Sequence, residues 1–140
     1  MTQIETKARP DANRFAALRE AIAGVVGDKG LIDDPADMAP YLEEPRGLFK
    51  GATPFVVRPA TTDEVAAVVK LCAAARVPIV PQGGNTGLCG GGLPFERGAE
   101  VLVNLGRMNR IRHIDPEDYT LTAEAGCVLQ DLQAAAGEVD

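Results

Sequence analysis

The chain has 140 residues, 46% of them hydrophobic and 24% charged, a globular composition that excludes gross disorder. Fourteen Lys and Arg against twenty Asp and Glu leave a net charge of −6, which repels a phosphate backbone and argues against nucleic acid or an anionic membrane surface as partner. No apolar run approaches the ~20 residues of a membrane span, and the polar start Met1-Thr2-Gln3-Ile4-Glu5 has no signal-peptide core.

Aromatic residues are scarce, at 4% with no Trp, so the interior must be built from Val, Leu, Ile and Ala. That favours an α/β interior. Cys72, Cys89 and Cys127 are widely spaced with no CxxC pair, which points to free thiols and a reducing, cytoplasmic setting. His113 stands alone, and no zinc site is expected.

Residues 1–10 read as a frayed tail. A helix is expected from Asp11, with Phe15, Leu18, Ile22 and Val25 at helical spacing and Gly27 as its stop. Asp34 and Pro35 suit the cap and first position of a shorter helix with Met38, Tyr41 and Leu42 on its apolar side. Pro45-Arg46-Gly47 breaks it. Phe55-Val56-Val57 reads as a strand. Thr61 and Glu64 fit a capping box, ahead of a helix whose stripe is Val65, Val68, Val69 and Cys72. Val77-Pro78-Ile79-Val80 is the next strand, so this stretch is a β-α-β unit with parallel strands and a right-handed crossover. After a glycine-rich loop come strands at Val101 to Leu105, Ile111 to Ile114, and Tyr119 to Ala125, the last stopped by Gly126. Val128, Leu129 and Leu132 open a final helix that reaches about Ala136. No further strand follows to receive that connection, so the chain is expected to be a truncated piece of a longer domain.

Six of the fifteen glycines lie between Gly83 and Gly92. Such a cluster admits positive φ, brings backbone close to a ligand and can present consecutive N–H groups to an anion. The loop carries no Lys or Arg, and the nearest cation in sequence is Arg97. A bound phosphate must then be met by backbone dipoles and by Asn85 and Thr86, which suits a diphosphate linking two larger groups. The Walker pattern fails for want of a Lys after the glycines. The Rossmann pattern fails because Gly90-Gly91-Gly92 leads into Leu93-Pro94-Phe95 rather than a helix. A plain flexible turn is the competing reading; against it stand the preceding strand, the interleaved Asn and Thr, and the stiffening Pro81 and Pro94.

An ordered set of segments extends this reading. Val57-Arg58-Pro59-Ala60-Thr61 precedes the helix that Asp63-Glu64-Val65 opens. Pro78-Ile79-Val80-Pro81-Gln82-Gly83-Gly84-Asn85-Thr86-Gly87-Leu88 follows, then Asn104-Leu105-Gly106-Arg107-Met108-Asn109 and Ala123-Glu124-Ala125-Gly126-Cys127. Over residues 41–140 the chain resembles the FAD-binding domain of the vanillyl-alcohol-oxidase and p-cresol-methylhydroxylase superfamily, in its D-2-hydroxyglutarate dehydrogenase and D-lactate dehydrogenase branch. The resemblance implies an α/β fold in which a helical segment (1–45) precedes the N-terminal part of the FAD-binding domain (46–140). It implies that Pro81, Gln82, Gly83, Gly84, Asn85, Thr86, Gly87 and Leu88 wrap the FAD pyrophosphate, with Gly126 near the cofactor. Some relatives attach FAD through a loop histidine; this loop has none, so FAD is expected to be non-covalent. The parent activity implied is oxidation of a D-2-hydroxy acid by hydride transfer to FAD, with substrate contacts in a C-terminal cap absent here. No residue of these 140 is assigned as catalytic base or metal ligand. Two other readings stay open: an inert nucleotide-binding remnant, and an FAD-linked oxidase of an alcohol or sugar.

Other eye-catching residues have plainer explanations. Arg46 and Arg58 could each touch a cofactor phosphate, but a lone Arg near a strand end is more often solvated or paired with a carboxylate. His113 reads as structural or exposed, Cys89 as a small residue that fits its loop, and Asp115 to Asp118 as a solvated turn around Pro116.

Overall fold

The computed structural model describes residues 12–139, so the tail expected over residues 1–10 lies outside it. The elements are α1 (Ala12–Val26), β1 (Leu31–Ile32), α2 (Pro35–Met38), β2 (Val56–Val57), α3 (Thr62–Ala74), β3 (Ile79–Gln82), β4 (Val101–Asn104), β5 (Ile111–Asp115), β6 (Thr120–Ala123) and α4 (Leu129–Gly137). The first sheet has the order β1-β2-β4-β3, and β5 and β6 form a separate antiparallel pair. Two of its three pairings place β2 and β3 parallel to β4, with β4 between them; in the third, β1 joins the edge antiparallel to β2.

Helix starts follow their capping residues. Asp34 accepts from Ala36 N at 2.8 Å, and Pro35 stands at the first position of α2. At α3, Thr61 Oγ1 accepts from Glu64 N at 3.1 Å, while Glu64 reaches back to Ala60 N at 2.7 Å, a capping box shifted by one residue on its return arm.

Alternation along the strands sorts the core onto two faces. Val57, Val101 and Val103 face α1 and α3, where Phe15, Leu18, Ile22, Val26, Val68 and Cys72 bury themselves. Val56 and Leu102 face Met38, with Ile32, Tyr41, Leu42 and Val80 packed alongside. Val26 rather than Val25 completes the α1 stripe, and Val69 of α3 stays 45% exposed. Residues 12–45 share these cores with the rest, so position 45/46 marks a change in local pattern and not a second hydrophobic core. Strand β1 went unread in the sequence because two residues are too few to show a period.

Candidate functional site at the carboxyl end of the parallel strands

Two residues beyond the apolar row Val56, Leu102 and Val80, the same face carries polar side chains. Gln82 and Asn104 are register partners on β3 and β4 and are both buried. Asn104 Nδ2 donates to Gln82 Oε1 at 3.1 Å and to Gly83 O at 3.0 Å, and its Oδ1 accepts from Gly106 N at 3.0 Å. Gln82 Nε2 donates to Tyr41 O at 2.8 Å and Gly92 O at 3.0 Å. Both ends of the glycine loop, at Gly83 and Gly92, are thus tied to one buried amide pair. Buried amides with every group satisfied fix geometry, because any alternative leaves one of them unpaired.

Above this pair the loop opens a cavity of about 410 Å³, lined by Pro81, Gln82, Gly83, Gly84, Asn85, Thr86, Gly87 and Gly90 to Gly92. No charged side chain lines it. A Cβ at Gly87 or Gly91 meets nothing within 4 Å, and at Gly84 only Thr86 Cγ2 at 3.8 Å. The glycines therefore leave open space where side chains would stand, and the lining is largely bare backbone. Asn85 has φ of 53°, the left-handed conformation that turns the chain at the loop's middle. Its Nδ2 donates to Glu43 O at 2.8 Å.

The structure places the residues singled out by the sequence as follows. Pro81 through Gly87 line the cavity, with Gln82 committed to holding the loop. Leu88 and Gly126 do not line it; the Leu88 side chain points to solvent, 56% exposed. Gly126 packs so closely that a Cβ would sit 2.0 Å from Leu105 O, and its N–H donates to Met108 O at 2.8 Å. Its neighbour Ala125 approaches the Gly83 end of the loop, so Gly126 permits a close backbone approach beside the site.

Arg97 is held by Glu100, at 2.6 Å from Nη2 to Oε1, and Arg110 and Arg112 converge on Glu124. Arg58 stacks its guanidinium over the Tyr41 ring at 5.9 Å, and its buried Nε has no hydrogen-bond partner. His113 is exposed, and Asp115 Oδ1 accepts from Glu117 N and Asp118 N, which makes the acidic run a self-capped turn. Cys72, Cys89 and Cys127 are free thiols, and Cys89 is exposed on the loop. Burial pushes the Cys72 thiol up to about 11, so it stays protonated and unreactive at neutral pH.

Sequence reasoning missed the part played by the turn at 43–49. Glu44 is only 2% exposed; its carboxylate accepts from Arg46 N at 3.0 Å, Leu48 N at 2.9 Å and Arg46 Nε at 3.2 Å. Burial pushes this carboxyl up, but those N–H groups and the Arg46 charge outweigh it and hold its pKa below the ordinary value. Arg46 Nη2 then donates to Leu88 O. A charged residue before a Pro-Arg-Gly break gave no sign that it would be buried.

Comparison with known proteins adds to this geometry. The family described as FAD binding domain matches residues 53–138. A probable mitochondrial D-2-hydroxyglutarate dehydrogenase of Oryza sativa subsp. indica is 37% identical over 110 residues, 79% of this chain and 19% of the relative. Glycolate oxidase subunit GlcD of Bacillus subtilis (strain 168) is 33% identical over 115 residues, 82% of this chain and 24% of the relative. The chain thus spans about a fifth to a quarter of the length of these relatives. Among solved structures, p-cresol methylhydroxylase with substrate bound superposes with a TM-score of 0.78 at 26% identity, covering 92% of this chain and 25% of that one.

Proposed function

Because this chain belongs to the FAD-binding domain family, we propose that its loop at 81–88 holds the diphosphate of FAD non-covalently, as the nucleotide-binding portion of a flavin-dependent oxidoreductase of D-2-hydroxy acids. The observation that carries this reading is the bare-backbone cavity at the carboxyl end of β3, where parallel α/β sheets bind their ligands. A diphosphate needs several N–H donors and room at Cβ; the run Gly83, Gly84, Asn85, Thr86, Gly87 offers consecutive backbone amides, and its three glycines leave a Cβ nothing nearer than 3.8 Å. The shortage of lining cations fits a linker that is bound and never transferred. Bound FAD supplies the hydride-accepting ring. The residues described here bind and orient; none is assigned a proton or a substrate contact.

Relatives named for D-2-hydroxyglutarate, D-lactate and glycolate share one chemistry, a hydroxyl carbon next to a carboxylate, and support the substrate class. The absence of histidine from the loop supports non-covalent attachment. Cysteine usage supports a reducing compartment, cytoplasmic in our reading, although several relatives carry mitochondrial names.

The test is titration of the chain with FAD, followed by flavin fluorescence, beside Gly84→Val. Open space around Gly84 lets the variant fold, while its side chain fills the cradle, so the variant is expected to lose binding that the wild type shows. Acid precipitation of the complex is expected to release all the flavin. A folded wild type without saturable binding, or a variant that binds equally, overturns the assignment. Turnover of D-2-hydroxyglutarate by the chain itself would exclude the reading as an inert nucleotide-binding module.

A further inference from the structure

The glycine loop is gripped from outside by a segment that precedes the family-matched stretch 53–138. Tyr41 O takes the Gln82 amide, Glu43 O takes the Asn85 amide, and Arg46 gives a hydrogen bond to Leu88 O. The contacts advance together along both segments, at sequence separations of 41, 42 and 42. A fourth grip comes from Phe49: Gly90, at φ of 72°, lies so near its ring that a Cβ would stand 3.1 Å from it.

The turn that supplies these contacts is itself rigidly made. Glu43 and Lys50 form an antiparallel bridge, Glu44 N donates to Phe49 O at 3.2 Å, and Gly51 N donates to Leu42 O at 2.8 Å. Inside it the buried Glu44 carboxylate fixes Arg46 through both backbone and side chain. Arg46 is therefore held in place before it meets the loop, and an ordered donor loses little entropy in making its bond. Neither Arg46 nor Glu44 lines the cavity.

We propose that Arg46, oriented by Glu44, is a positioning residue that holds the glycine loop in its ligand-binding shape. The inference rests on the reading of that loop as the FAD diphosphate site. Without the bond to Leu88 O, the far limb of the loop has the packing of Gly90 on Phe49 as its remaining grip from this turn. An anion site of backbone N–H groups works only while those groups converge, so loosening one limb weakens binding without unfolding the sheet.

The experiment uses the whole 140-residue chain with Arg46→Ala, Arg46→Lys and, as control, Lys70→Ala, an exposed position on α3 outside the turn and the loop. Three quantities are read: FAD affinity, thermal midpoint without ligand, and hydrogen exchange of amides 83–92 against those of β4. Arg46→Ala is expected to bind FAD about tenfold more weakly. Its loop amides should exchange faster, with β4 protection and thermal midpoint unchanged. Arg46→Lys keeps the charge without the planar fork and falls between, and Lys70→Ala matches the wild type. Wild-type affinity in Arg46→Ala while Gly84→Val binds nothing overturns the clasp and leaves the loop assignment standing. Loss of β4 protection along with loop protection also overturns it, because Arg46 then supports the whole fold. If the wild type binds no FAD, the loop assignment fails by itself; unchanged loop exchange in Arg46→Ala then overturns the clasp, and faster exchange confined to 83–92 upholds it.

Discussion

Among the described residues three glutamates are buried, Glu44, Glu100 and Glu124, at 2%, 3% and 6% exposed, and all three are satisfied in the same way. Each carboxylate accepts a backbone N–H from a nearby loop and the guanidinium of an arginine in that loop. Glu44 takes Arg46 and Leu48, Glu100 takes Phe95 N and Arg97, and Glu124 takes Arg110 N together with the side chains of Arg110 and Arg112. An unpaired buried carboxylate is costly, so each is a local demand that its loop adopt one shape. The hydrogen-bonded Arg110 side chain, and then the Arg110 N–H, hold the Glu124 pKa at about 2, against an ordinary 4.5. A depressed folded-state value means that the carboxylate's contribution is complete above about 4.5 and is lost as pH falls toward 2. Glu124→Gln is therefore expected to lower the thermal midpoint at neutral pH. It should also flatten the fall in midpoint of the wild type between pH 4.5 and 2, measured by circular dichroism. Equal acid sensitivity of the two proteins would show that Glu124 is not the group responsible.

At the scale of elements, helices were legible where capping residue and apolar stripe agree. Helix α3 shows this, and its cap gives a measurable quantity: Thr61→Ala removes the acceptor for Glu64 N and is expected to cost about 1 kcal/mol in urea unfolding. A loss near zero would mean that Glu64 and its bond to Ala60 N secure the helix start unaided. Strands were legible as runs of Val and Ile, but their spatial order was not. Nothing local in Val101 to Asn104 states that it inserts between β2 and β3; that follows from burying Val101 and Val103 on one face and Leu102 on the other. The candidate site was legible in part for the same reason. Gly83 to Gly87 announce themselves by composition. The contacts that hold them, from Tyr41, Glu43 and Arg46, join a side chain to a carbonyl across some forty residues and leave no periodic trace.

Across the whole molecule the buried apolar mass is unevenly placed. It lies between the four-stranded sheet, α1 and α3, where Ile22, Val57, Val68 and Val101 are completely inaccessible. Burial of such side chains contributes roughly 1.5–3 kcal/mol each, so this region carries most of the stability. Helix α4 has no buried residue; Val128 and Leu129 at its start are 60% and 67% exposed, and Val128 gives no side-chain cap. The β5–β6 hairpin is fastened near its open end by Glu124 and Arg110, and it carries the fully solvated Tyr119 at its turn. An element without buried side chains opens at low cost and independently of the core. Native-state hydrogen exchange should accordingly resolve a hierarchy. Amides of α4 exchange at nearly open-chain rates, those of the hairpin are intermediate, and those of β4 exchange only through global unfolding. Glu124→Gln should accelerate the hairpin while leaving β4 unchanged relative to global stability. Uniform protection of α4 and β4 would refute this partition, because it would require contacts on α4 that bury apolar surface. The glycine loop sits on the stable side of the division, rooted in β3 and tied through Gln82 and Asn104 to β4, so the cavity keeps its shape while the C-terminal elements fluctuate.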